Sequence, residues 1–289
     1  MNPKTPERGL PIVLLVVAFG HAASAQCGQQ AITPNLTESS SCQRSGSAQP
    51  VVTFGWDAVP NSWPWIVQLR TSAKTHKCAA TILDKDWLLT AAHCFGPRQL
   101  DARNFEVVAG IDLLMPHVPA IEGYVRRQYS YPSKVYIHPD YNDQTFDNDI
   151  ALIRLNRTLK WTSFVQPSCL PTGRGNSLPN ACTVAGWGLQ SGMRSSVKLQ
   201  QATLPIISIT ECRKYWRSVN ERRSVCAQHE CSSLCLGDSG GGLHCKRDNQ
   251  WVVGGEAIDC PLVKAPKQSN VRRMGDGPPS EDALDLGGD

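Results

Sequence analysis

From Val52 onward, short apolar runs recur every ten to fifteen residues, separated by Gly, Pro, Asn and Asp. Examples are Trp65-Ile66-Val67-Gln68-Leu69, Thr81-Ile82-Leu83, Phe105-Glu106-Val107-Val108, Ile150-Ala151-Leu152-Ile153-Arg154-Leu155 and Trp251-Val252-Val253. No window keeps a helical period over three turns. Many short strands punctuated by turn residues predict an all-β sandwich or barrel.

The two ends read differently. Lys4 and Arg8 precede an apolar run, Pro11 to Phe19, and Ala23-Ser24-Ala25 follows with small residues at the cleavage spacing. This predicts a signal peptide over residues 1–25. The run is too short for a bilayer span, which needs roughly 20 residues. Residues 26–51 are polar, hold Cys27 and Cys42, and read as a tethered pro-segment. Residues 261–289 contain no aromatic side chain and nine charges, which predicts a disordered tail.

Composition narrows the class. The chain has 289 residues, 41% hydrophobic and 19% charged, as globular proteins do. A net charge of +4 without a basic cluster gives no reason to expect nucleic acid as a partner. No long apolar run follows residue 25, so no membrane partner is expected. Twelve cysteines are many for a reducing compartment and favour export, to the extracellular space. Export would make Asn35 and Asn156, each in an Asn-x-Thr triplet, glycan acceptors.

Three motifs carry chemistry. Leu89-Thr90-Ala91-Ala92-His93-Cys94 places a histidine beside a cysteine. Asp147-Asn148-Asp149-Ile150 places a carboxylate at the mouth of a strand, and Gly237-Asp238-Ser239-Gly240-Gly241 sets a serine in a glycine-rich turn. Each alone is ordinary: a core histidine, a turn aspartate, a flexible loop. Together they suffice for acyl transfer. A serine hydroxyl attacks well only when a base takes its proton. Imidazole titrates near neutrality and can be that base, and a carboxylate fixes its tautomer. Glycines let backbone N–H groups converge on the developing oxyanion.

With Asn61-Ser62-Trp63-Pro64-Trp65, Ile137-His138-Pro139-Asp140-Tyr141-Asn142, Cys169-Leu170-Pro171 and Gly186-Trp187-Gly188, these motifs resemble the chymotrypsin/trypsin family of secreted serine endopeptidases over residues 52–260. The resemblance implies two antiparallel six-stranded β-barrels, over roughly 52–160 and 161–260, with the site in the cleft between them. Ser239 would be the nucleophile, His93 the base and then the acid, and Asp149 the orienting carboxylate. The N–H groups of Gly237 and Ser239 would form the oxyanion hole. Ser233 would floor the substrate pocket and leave it uncharged, favouring large apolar side chains. Implied disulfides are Cys27–Cys169, Cys78–Cys94, Cys182–Cys245, Cys212–Cys226 and Cys235–Cys260, with Cys42 and Cys231 left over. Polypeptide substrates, protein inhibitors and a monomeric state are implied; no cofactor and no metal are.

Three departures stand against that pattern. Val51-Val52-Thr53-Phe54-Gly55 follows Gln49-Pro50 rather than a basic residue, so the expected ion pair between a freed Val52 amine and Asp238 requires a non-tryptic cut. Gly255-Glu256-Ala257-Ile258-Asp259 stands where relatives have Ser-Trp-Gly. After Cys260 the chain offers neither the last strand nor the terminal amphipathic helix of the family, so both are expected to be missing. These departures motivate an alternative: a catalytically impaired homologue that serves as a binding module.

Overall fold

The computed structural model describes residues 27–36, 56–96, 104–114, 126–144, 148–171, 178–190, 194–214, 224–227, 239–259 and 269–272. The expectations on the signal peptide, Cys42, Val52, Cys231, Ser233, Cys235, Gly237, Asp238 and Cys260 lie outside them.

The apolar runs become strands of two curled antiparallel sheets. The first sheet contains β2 (Ile66–Thr71), β3 (His76–Asp84), β4 (Trp87–Thr90), β5 (Phe105–Ala109), β6 (Gln128–Ser130), β7 (Pro132–Ile137) and β8 (Ala151–Leu155), in the order β6-β5-β2-β3-β4-β8-β7. The second contains β1 (Trp56–Asp57), β9 (Ala181–Gly186), β12 (Gln200–Ile207), β13 (Ser224–Ala227), β14 (Gly242–Arg247), β15 (Gln250–Asp259) and β16 (Ser269–Arg272). A separate ribbon joins β10 (Leu189–Gln190) to β11 (Arg194–Ser195). The α-helix α1 (Ile209–Cys212) is a single turn, started by the Ser208 hydroxyl accepting from the Glu211 N–H at 3.1 Å.

β2 shows why the first sheet reads as apolar. It is central, and Ile66 through Arg70 are all buried. Its one cation is neutralised across the ladder: Arg70 faces Glu106 on β5, and Nε donates to Oε2 at 2.6 Å. A buried charge persists only when partnered in this way.

The second sheet corrects the sequence reading of the C-terminal segment. β12 pairs with β9 as well as β13, so β9-β12-β13-β16-β15-β14 closes on itself. β16, from the stretch expected to be disordered, fills the position expected to be vacant, pairing with β13 and β15. The reason is that strand addition is paid out in backbone hydrogen bonds, to which a polar Ser-Asn-Val-Arg segment contributes as well as an apolar one. β1 also departs from a simple split of the chain near residue 160. It precedes the first-sheet strands, yet pairs with β12 of the second sheet.

Residues 27–36 bind the body at several points. Cys27 is bonded to Cys169. The Gly28 N–H donates to the Pro167 carbonyl at 2.8 Å, and the Trp251 N–H donates to the Gly28 carbonyl at 3.0 Å. A side chain at Gly28 would stand 2.5 Å from the Trp251 carbonyl oxygen, and φ is +66°, so only glycine fits. Further along, Gln30 Nε2 donates to the Ser62 carbonyl, and Trp56 Nε1 donates to the Asn35 carbonyl at 3.0 Å.

An aromatic cluster joins the two sheets. Trp63, Trp65 and Trp251 pack together, and Trp63 Nε1 donates across to Gln201 Oε1 on β12 at 2.8 Å. No helix among the described residues is long and apolar enough to cross a membrane.

Candidate active site

Strand register brings the histidine to the aspartate. β4 pairs antiparallel with β8, with Thr90 opposite Ala151. Continuing that ladder past the end of β4 carries the chain towards Asp149, two residues before Ala151. A 3-10 turn, Ala92–Phe95, then swings His93 against it. Asn148, at φ +56°, makes the bend ahead of the aspartate and donates from Nδ2 to the Asp140 carbonyl at 2.9 Å.

Asp149 grips His93 twice. Oδ1 accepts the His93 backbone N–H at 2.7 Å, and Oδ2 lies 2.7 Å from Nδ1. The Asp149 side chain is fully buried, while the imidazole keeps 21% of its side-chain surface in solvent. A carboxylate oxygen accepts, so this contact turns the Nδ1 proton to Oδ2 and leaves Nε2 as the nitrogen not bound by Asp149. Tyr141 lies close by. Burial, then the charge of Asp149, then that of Asp143 push its phenol above the usual range, so it stays neutral.

Ser239 comes from the second barrel, just ahead of β14, and is partly buried. Its carbonyl accepts the N–H of Ala79, on β3, at 2.9 Å. Ala79 follows Cys78, and Cys78 is bonded to Cys94, the neighbour of His93. The serine backbone is thus fixed one residue from the disulfide that restrains the histidine. Closing that short loop contributes about 3 kcal/mol in the chain-entropy account.

The structure contains Cys182–Cys245 and Cys212–Cys226 as well, and no cysteine is free among the described residues. Cys78, His93 and Cys94 bring donor atoms within 4.8 Å of one another. Both sulfurs are spent in the disulfide, so no thiolate is available to a metal.

Sequence reasoning did not single out Thr90, Ala79, Asn148 or Tyr141 for a role at the site, nor His244. Thr90, Asn148 and Tyr141 stand inside the motifs given above, but nothing in a one-dimensional pattern says which backbone atoms they face. His244 interrupts the apolar run Leu243-His244-Cys245 and is wholly buried. That interruption was the available signal.

Over residues 52–266, most of the chain, the sequence matches the family model described as Trypsin.

Proposed function

The chain belongs to the trypsin family, whose members are serine proteases acting on polypeptides, and from that premise we propose that it is a secreted endopeptidase, made as a precursor and working through Ser239, His93 and Asp149. The observation that carries the reading is the double contact between Asp149 and His93. It holds the ring in place with Nδ1 turned to the carboxylate, so that Nε2 is the nitrogen available to take a proton from Ser239, as a general base requires.

The steps follow from the residues. His93 Nε2 takes the Ser239 proton as the hydroxyl attacks the peptide carbonyl. The N–H groups of Gly237 and Ser239 donate to the oxyanion. The imidazolium, stabilised by Asp149, returns the proton to the leaving amine, and water repeats the sequence on the acyl-enzyme. The protein works as a monomer, and protein inhibitors that fill the cleft would block it.

Activation needs a cut ahead of Val52 by a protease that does not require a basic residue. The new amine would then pair with Asp238 and order the oxyanion donors. Residues 27–36 would stay attached through Cys27–Cys169.

The test is labelling with a fluorophosphonate probe, before and after limited proteolysis near Val52. Wild type takes up label after the cut and Ser239→Ala does not. Absence of label under every processing condition overturns the reading in favour of the binding module. Specificity has its own test. With Ser233 as the pocket floor, cleavage follows large apolar residues, and Ser233→Asp moves it towards Lys and Arg by charge pairing. An unchanged cleavage profile would place the pocket floor elsewhere.

A further inference from the structure

We propose that Thr90 is a positioning residue whose hydroxyl holds the turn carrying Ser239 against the strand end that leads to His93. This rests on the reading of Ser239 as the nucleophile.

Thr90 is the last residue of β4 and is fully buried. Its Oγ1 donates to the Ala79 carbonyl at 2.8 Å. The N–H of the same Ala79 donates to the Ser239 carbonyl at 2.9 Å. Ala79 is therefore held on one side by the threonine hydroxyl and on the other by the serine backbone.

Gly240 completes the joint. Its φ is +76°, and a β-carbon there would stand 2.2 Å from Thr90 Oγ1 and 2.6 Å from the Ala79 carbonyl oxygen. The side of Gly240 that would carry a side chain thus faces the Thr90–Ala79 hydrogen bond, with no room for one. Thr90 also lies three residues before His93 and opposite Ala151, two residues after Asp149. One hydroxyl sits where the supports of all three side chains converge. It acts through Ala79 and Gly240, not on substrate.

Valine has the shape of threonine without the donor. In its place the buried Ala79 carbonyl loses its partner, and a methyl group meets the Gly240 backbone. Both effects shift the Ser239 turn relative to His93, and misplacement of a reacting group by about 1 Å can cost about 100-fold in rate.

The experiment compares wild type, Thr90→Val, Thr90→Ala and Thr90→Ser after processing ahead of Val52. Fluorophosphonate labelling is followed in time, so that the amplitude counts competent molecules and the rate constant reports geometry. Thr90→Val should lower the rate constant about 10- to 100-fold at full amplitude, and Thr90→Ser should recover most of it. Thr90→Ala, which adds no methyl contact, should also be slow and stands in if the valine variant does not accumulate. In the uncleaved precursor, hydrogen exchange at the Ala79 amide should quicken in the valine and alanine variants and not in the serine one. A wild-type rate constant in Thr90→Val or Thr90→Ala, or a Thr90→Ser as slow as they are, overturns the proposal. If wild type labels and these variants label equally fast, this proposal alone falls. If wild type never labels, the nucleophile reading falls and takes the proposal with it.

Discussion

On the mechanism proposed above, Asp149→Asn leaves the protein folded and slows acylation of Ser239 by about four orders of magnitude, the size of loss known for this exchange in a Ser-His-Asp triad. The reason here is a hydrogen bond that cannot reverse. The His93 backbone N–H is always a donor, and it points at Oδ1 from 2.7 Å. An asparagine must therefore turn its amide oxygen to that N–H. Its NH2 group then faces Nδ1, which Oδ2 faces in the wild type at 2.7 Å. A donor there forces Nδ1 to accept, so the ring proton moves to Nε2. Nε2 is the nitrogen assigned to the serine proton, and once protonated it has no lone pair to offer. Asparagine matches aspartate in volume and keeps both contacts, one of them reversed, so the thermal midpoint should change little. Stopped-flow or manual labelling with a fluorophosphonate, alongside a thermal melt, checks both halves. A variant that labels within about 10-fold of wild type would mean that Asp149 does not set the His93 tautomer.

That geometry also shows what a linear reading reaches. His93 and Asp149 were legible because each stands at the end of an apolar strand, and antiparallel strands joined in a sheet bring such ends together. The turn at Ser239 was legible from its glycines. The partners that fix backbone were not. Ala79 enters the site through its N–H and carbonyl, which every residue type but proline possesses, so its identity carries no signal. The same holds for β16. Ser269, Asn270, Val271 and Arg272 look like tail because composition weighs side chains, whereas their place between β13 and β15 depends on main-chain hydrogen bonds. β1 is two residues long, too short for any alternation to show. Gly28 looked like one more polar-segment residue, and only the Trp251 backbone lying against it shows why no other residue fits.

His244→Leu should abolish a large share of the acid sensitivity of folding. His244 is 0% exposed on β14, with ring centroids 5.7 Å from Trp63 and 5.6 Å from Trp65. Neither ring nitrogen meets a protein hydrogen-bond partner among the described residues. Burial alone holds its pKa down at about 3, against an ordinary 6.5. The folded protein therefore keeps this imidazole neutral, while the unfolded chain binds a proton near pH 6.5. With more protons bound in the unfolded state, stability is complete above pH 6.5 and falls as the pH drops towards 3. Between pH 6.5 and 4.5 this one side chain should remove about 2 kcal/mol. The interval separates it from the carboxylates. Glu106, where burial raises the pKa but hydrogen bonds from Lys74, Arg70 and Tyr131 together outweigh it, is held below 4.5. Asp57, hydrogen-bonded by Gln200 and Lys198, is held below 3.8. Their contributions are lost mainly below those ordinary values. Leucine is close to histidine in size and cannot titrate, so the stability gap between the variant and wild type should widen by about 2 kcal/mol on acidification from pH 6.5 to 4.5. Urea unfolding followed by tryptophan fluorescence suits the measurement, because Trp63 and Trp65 surround the mutated position. A gap that stays constant across that interval would mean that His244 takes up its proton without the two barrels coming apart.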